Sequence, residues 1–286
     1  MKDFVRKSGI RYMSDKQSAI GVFDSGLGGL TAVKQLKKIL PDEKFIYFGD
    51  TGRVPYGTRS FETVNQYADD DMRFLLGFDI KAAIIACGTV SAVALDNLQK
   101  KFPLPIVGAI EPACIAAAQR TKNGNIAVFA TPATIGKNSF ATTLCGINPD
   151  LSVSSVACPM FVPLIEAGYI DVDCPVTRLI AREYLEKLQN ADIDTLILGC
   201  THYPIIKDLV ASCAKELFGR DIEIIDSGYE SALAAKKMLL QKDLLTDLDG
   251  QGSVQYFVSD ETQNFSAVAS IFLGEAAQNV TKVTIG

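Results

Sequence analysis

Two cysteines stand where strand-like runs give way to polar residues. AAIIACGTVSA (82–92) and TLILGCTHYP (195–204) each carry an apolar run that ends on a cysteine, Cys87 or Cys200, with a threonine, Thr89 or Thr201, close behind. His202, the only histidine in the chain, lies two positions after Cys200. A cysteine inside an apolar run is ordinarily a small core residue. Two of them at run ends, each beside hydroxyls, are candidates for working thiols. A thiolate paired with a thiol would be a matched base and acid. His202, as imidazolium or as a donor, would stabilise a thiolate at Cys200 or hold a carboxylate. A second chemistry uses Cys200 as a nucleophile with His202 as its base, as in a thiol hydrolase, but it gives Cys87 no task.

Three further stretches carry polar groups worth placing. DSGLGG (24–29) is a strand-to-helix turn without the Lys-Ser/Thr ending of a phosphate loop, and its glycines do not fit G-x-G-x-x-G. Its backbone N–H groups would cradle an anion such as a carboxylate, and Asp24 is either a helix cap or a partner for an ammonium. GDTGRVPYGTRS (49–60) reads as a loop in which Tyr56 offers a packing surface and Gly57 a backbone donor. MFVPLIEAG (160–168) leaves one carboxylate, Glu166, in an apolar stretch, where it would polarise a thiol or His202 or simply be solvated.

The elements that must position these groups alternate along the chain. Strand candidates are 19–23, 45–48, 82–86, 105–109, 125–130, 151–157, 195–199, 222–226 and 253–258, several of them apolar on successive residues, as in strands covered on both faces. Between them lie amphipathic stretches. One places Leu30, Val33, Leu36 or Lys37, and Leu40 on a stripe, and another does so with Val176, Leu179, Ile180, Tyr184 and Leu188. Such alternation predicts an α/β fold of βαβ units with parallel sheets, whose ligands bind at the carboxyl ends of the strands. Cys87 and Cys200 both fall at such ends, with Thr89 and Thr201 as expected helix caps. IIACGTVSA echoes LILGCTHYP, and FDSGLGG echoes IDSGYES (225–231), so two related halves facing each other are expected, with the cysteine loops across a common cleft.

Bulk properties narrow the class. With 286 residues the chain is long enough for two domains; 48% apolar and 21% charged residues are those of a globular protein. A net charge of −5 argues against a nucleic-acid partner. The first 20 residues contain no apolar segment of the secretory kind, and 82–95 is too short to span a bilayer, so a cytoplasmic, membrane-free protein with a loose leading segment of about 18 residues is expected. Seven widely spaced cysteines without a C-x-x-C pair, and a single histidine, suggest free thiols with neither a structural metal nor a disulfide framework.

Together, GVFDSGLGGLTA, YFGDTGRVPYGTRS, IIACGTVSAVAL, PLIEAG and LGCTHYP resemble, in order and spacing, the glutamate racemases of the aspartate/glutamate racemase superfamily, from about residue 19 to the last helices. The resemblance implies cofactor-independent, two-base interconversion of L- and D-glutamate, supplying D-glutamate for peptidoglycan. It implies Cys87 and Cys200 as the bases, Asp24 assisting Cys87, and Glu166 and His202 assisting Cys200. Substrate contacts would come from Asp24, Ser25, Pro55, Tyr56, Gly57, Gly88, Thr89, Thr131, Thr201 and His202, largely through hydroxyls and backbone N–H groups. It further implies two similar parallel-sheet α/β domains facing each other across a cleft. The first would be discontinuous, 1–107 and 221–286 with Cys87, and the second 108–220 with Cys200. No metal is implied, and a homodimer is left open. One departure is that Gly88 stands where the family most often has Asn, and the space this would leave admits a relative acting on aspartate or another acidic substrate; Gly52 is a milder departure in a loop. A non-catalytic binding module for a small acid is the remaining alternative.

Overall fold

The computed structural model describes residues 15–260, 265–277 and 279–285. Among them ten strands alternate with helices: β1 Ala19–Asp24, β2 Lys44–Gly49, β3 Ile80–Ile85, β4 Ile106–Val107, β5 Asn125–Ala130, β6 Ser152–Ala157, β7 Thr195–Leu198, β8 Glu223–Asp226, β9 Ser253–Val258 and β10 Val280–Lys282. They form two sheets, β10-β9-β2-β1-β3-β4 and β6-β5-β7-β8. Every paired strand runs parallel to its neighbour. The α/β class and the two parallel sheets are therefore as expected. All nine anticipated strands are present with ends shifted by at most two residues. β10 gave no sequence signal because it is three residues long and mostly exposed.

The two sheets repeat one plan. In chain order, β1–β4 lie across the first sheet as second, first, third, fourth, and β5–β8 lie across the second in the same order. Cys87 follows the third strand of its set and Cys200 the third of the other, so that echo is a true topological equivalence. The Asp-Ser-Gly echo is not: Asp24 ends the first strand of one set and Asp226 the fourth of the other. The two match locally because each aspartate accepts a hydrogen bond from the backbone N–H two residues on, at 3.1 and 2.8 Å, which any strand-to-helix turn can use. β8, which follows residue 221, pairs with β7 in the second sheet.

Central strands β1, β3 and β7 are buried on every residue, as successive apolar residues require when helices cover both faces. The helix Leu30–Ile39 turns Leu30, Val33 and Leu36 inward and leaves Lys37 in solvent. The helix Pro175–Glu186 departs from its expected stripe. Val176 and Leu179 are exposed, Ile180 is half-buried, and Thr177, Ala181, Tyr184 and Leu185 face the core. Thr177 fixes this rotation by donating to the Tyr169 carbonyl at 2.7 Å, while the Tyr184 ring packs edge-on against Phe161. Of the leading segment expected to be loose, residues 1–14 lie outside the described residues; Lys16 and Ser18 are tied down, through Lys81 Nζ on the Lys16 carbonyl and Ser18 Oγ on Asp79. Among the described residues no helix is long and apolar enough to cross a membrane.

Candidate active site

The carboxyl ends of both sheets meet at a cavity of about 420 Å3, within the size range of small-molecule sites. Equivalent positions of the two strand sets supply its walls. After the first strands come Ser25 and Thr131. After the second come the Pro55–Gly57 loop and Glu166. After the third come Cys87–Thr89 and Cys200–His202. Twelve of the thirteen residues singled out from the sequence thus line one cavity. Asp24, the thirteenth, is wholly buried behind the wall. It is joined to the site through Thr201, whose Oγ1 donates to Asp24 Oδ1 at 3.4 Å.

Cys87 lies two residues beyond β3 at the N-terminus of the helix Gly88–Val93. Its sulfur accepts from Val90 N at 3.5 Å and donates to Ser25 Oγ at 3.3 Å. The thiol itself therefore caps the helix, and Thr89, expected as the cap, sits in the first turn. Burial, with the Asp24 carboxylate adding to it, pushes the Cys87 thiol up to about 12 against the pull of Ser25 and Val90. Cys200 stands two residues beyond β7, and its sulfur is 3.9 Å from His202 Nδ1. His202 Nε2 meets Glu166 Oε1 at 2.9 Å. Burial disfavours the imidazolium, but its bonds to Cys200 and Glu166 outweigh that and raise His202 to about 10. His202, rather than Thr201, begins the single 3-10 turn Tyr203–Ile206. The carbonyl of Thr201 accepts from Thr31 Oγ1 at 2.8 Å, stitching the loop after β7 to the first sheet's helix.

Asp24 is raised by burial, and the nearby His202 charge and the N–H groups of Gly29 and Gly26 oppose that rise. The cavity's charged groups are His202 and Glu166, with no lysine or arginine among the residues lining it. A carboxylate bound there would be met by hydroxyls and backbone N–H groups. Thr89, Thr131 and Thr134 form one such cluster, with Oγ1 separations of 2.9, 3.3 and 2.9 Å joining the two strand sets. The Tyr56 hydroxyl is turned to Asp50 and Asp71, while the residue itself lines the cavity.

Glycines let the two sides approach. A Cβ on Gly88 would sit 2.2 Å from the Gly199 carbonyl oxygen, and one on Gly28 would sit 2.3 Å from Thr201 Oγ1 and 2.4 Å from His202 Nδ1. The space expected at Gly88 is thus absent, because the backbone of the opposite cysteine loop fills it. Sequence reasoning passed over Thr134, although its i+3 spacing from Thr131 at a helix start was a usable signal. It also passed over the apolar wall of Cys158, Pro159, Val162 and Pro163, whose residue types carry no chemical mark. Among the described residues no group of three His, Cys, Asp or Glu side chains could hold a metal ion.

Comparison with known proteins agrees with this arrangement. The family model for Asp/Glu/hydantoin racemase matches residues 29–235. The glutamate racemase of Geobacter metallireducens is 44% identical over 267 residues, covering 93% of this chain and 97% of the relative. The structure of the Francisella tularensis glutamate racemase in complex with D-glutamate superposes with a TM-score of 0.86 at 37% identity, covering 94% of this chain and 98% of that one. A Bacillus anthracis glutamate racemase structure gives 0.87 at 36% identity, with the same coverage.

Proposed function

The chain belongs to the Asp/Glu/hydantoin racemase family, and from that membership and the site we propose that it interconverts L- and D-glutamate without a cofactor, using Cys87 and Cys200 as the two bases. The observation that carries the reading is the placement of the two cysteines at equivalent strand ends on one cavity. Inverting a stereocentre needs one group to take a proton on one face and another to return a proton on the opposite face. In one direction the Cys200 thiolate removes the α-proton and becomes a thiol, and the Cys87 thiol donates its proton to the other face and becomes the thiolate. The reverse direction exchanges the roles. His202, hydrogen-bonded to Glu166, is the counter-cation for Cys200. Ser25 and Asp24 serve Cys87. Hydroxyls of Thr89, Thr131 and Thr201 and the backbone at Tyr56 and Gly57 hold the carboxylates and ammonium. These donors, in a water-poor cavity, offset the instability of the carbanion.

The same reading gives D-glutamate for peptidoglycan as the cellular role, in the cytoplasm, and a chain divided into two α/β units, the first formed from the β1–β4 and β9–β10 segments and the second from β5–β8. Aspartate as the preferred substrate loses its motive, because the extra space at Gly88 is not there. Turnover of L-glutamate in deuterium oxide is the test. Deuterium should appear at the α-carbon of the product enantiomer. Cys87→Ala and Cys200→Ala should each abolish net racemisation in both directions, whereas a hydrolase would survive the first change. Binding without exchange, or faster turnover of aspartate, would overturn the assignment.

A further inference from the structure

The loop after β2 supplies Tyr56 and Gly57 to the cavity, and what holds it there lies outside the cavity. Gly57 abuts Thr131, since a Cβ on it would be 2.9 Å from the Thr131 Cβ. Beneath the loop, Arg53 bridges three carboxylates. Nε donates to Asp50, Nη1 to Asp70 at 2.8 Å and Nη2 to Asp71 at 2.8 Å. The guanidinium also lies over the Tyr67 ring, 4.3 Å from its centroid. The Tyr56 hydroxyl donates into the same cluster at Asp50 and Asp71, and Ser259 Oγ donates to Asp50 Oδ1 at 2.7 Å. Asp50 and Asp71 are fully buried. One cation and one phenol thus join the loop (Asp50, Arg53, Tyr56), the helix Phe61–Leu75 (Tyr67, Asp70, Asp71) and the segment after β9 (Ser259). Asp69 of that helix is turned away toward Arg73 and Lys101, and Asp260 is paired with Lys282.

We propose that Arg53 is a positioning residue for the racemase site: its three-way bridge fixes the 50–58 loop so that the Tyr56 and Gly57 backbone stays against Thr131, ready for substrate. The proposal rests on the racemase reading for its kinetic consequence alone. Without Arg53 the buried Asp50 and Asp71 carboxyls lose their shared donor, and the fork that ties the loop to the helix Phe61–Leu75 is gone, so the loop is released. Lysine, a point charge, cannot reproduce the fork. Burial with Asp50 alongside already holds the Asp71 carboxyl well above the usual range, against the pull of Arg53, so loss of the guanidinium favours its neutral form further.

The test compares wild type, Arg53→Met, Arg53→Lys and Arg53→Met combined with Asp71→Asn. Methionine retains the stem over Tyr67, and thermal melting of the lysine variant guards against simple unfolding. In the ligand-free protein, amide hydrogen exchange across residues 52–58 should rise about tenfold or more in Arg53→Met while the β1 and β3 amides stay protected. The KM for L-glutamate should rise about tenfold at about pH 8, with kcat changed by less than about threefold, the loss expected from one charge-assisted hydrogen-bond set. The lost fork is a matter of geometry, so the KM increase should persist toward about pH 6, and Asp71→Asn, which removes a carboxyl already disposed to be neutral, should recover little of it. Unchanged exchange at 52–58, a defect in kcat alone, or full recovery of KM by Asp71→Asn would overturn the proposal. Exchange is read without turnover, so absence of racemisation in the wild type would sink the functional reading and leave this one standing or falling by itself.

Discussion

Glu166, His202 and Cys200 form a row held by one bond of 2.9 Å and a sulfur contact of 3.9 Å. Its protonation is a balance between burial, which favours neutral imidazole, and two partners, which favour the cation and win. Since His202 is raised to about 10 in the folded state from an ordinary 6.5, the stability its charge contributes is fully present below 6.5 and is lost as pH rises through about 10. The chain has one histidine, so its ring resonance titrates without ambiguity. An NMR titration should give a wild-type midpoint near 10, and Glu166→Gln, by removing one raising partner, should move the midpoint down together with the alkaline limb of kcat/KM. A midpoint indifferent to Glu166 would remove that residue from the row. Among the described residues, the neighbours that act on Cys87 include Ser25, the Val90 N–H and the Asp24 carboxylate, in place of the imidazole beside Cys200. The two thiols are equivalent in topology but not in environment, so the two directions of turnover are expected to differ in pH dependence.

At the scale of loops and helix starts, the site depends on close backbone approach. Gly28, in the turn after β1, lies against Thr201 and His202 from the other strand set, at a place where no side chain fits. Gly28→Ala must displace the His202 ring or the Thr201 hydroxyl, and a misplacement of about 1 Å can lower turnover by about 10²-fold. The expected outcome is a large fall in kcat with intact secondary structure by circular dichroism. A variant of normal kcat would mean that the turn gives way without disturbing His202. The threonine cluster works in the same register, since Thr134, behind the cavity, orients the Thr89 and Thr131 hydroxyls that face it.

Across the whole molecule, the chemistry gathers at the carboxyl ends of the strands while the opposite edge is given to stability. There Lys81 and Glu43, both almost wholly buried, pair at 2.5 Å, and Lys81 also holds the Lys16 carbonyl. The Thr246 N–H donates to the other Glu43 oxygen at 2.8 Å. Removing one partner leaves an uncompensated buried charge, so Lys81→Met should destabilise by about 3–5 kcal/mol, and Lys81→Met with Glu43→Leu should recover much of that loss. Urea unfolding of the single and double variants measures both values. Equal stability of Lys81→Met and wild type would show that the pair contributes nothing net.

Local pattern alone determined a good deal. Runs such as AIGVF and AAIIA, apolar on successive residues, are those of strands covered on both faces, and their alternation with amphipathic stretches points to parallel sheets and a site at the carboxyl ends. Cys87, Cys200 and His202 were legible because their residue types are reactive and their positions follow from where strands stop. Only the tertiary structure decided what lies beside them. It rotated the helix Pro175–Glu186 away from its expected stripe, filled the space at Gly88 with the Gly199 carbonyl, turned the Tyr56 hydroxyl out of the cavity, and set Asp24 behind Thr201. Each of these depends on contacts between segments far apart in the chain. Periodicity and spacing describe a segment's own faces, but which neighbour meets each face, and at what distance, is fixed only when the two strand sets close on one another.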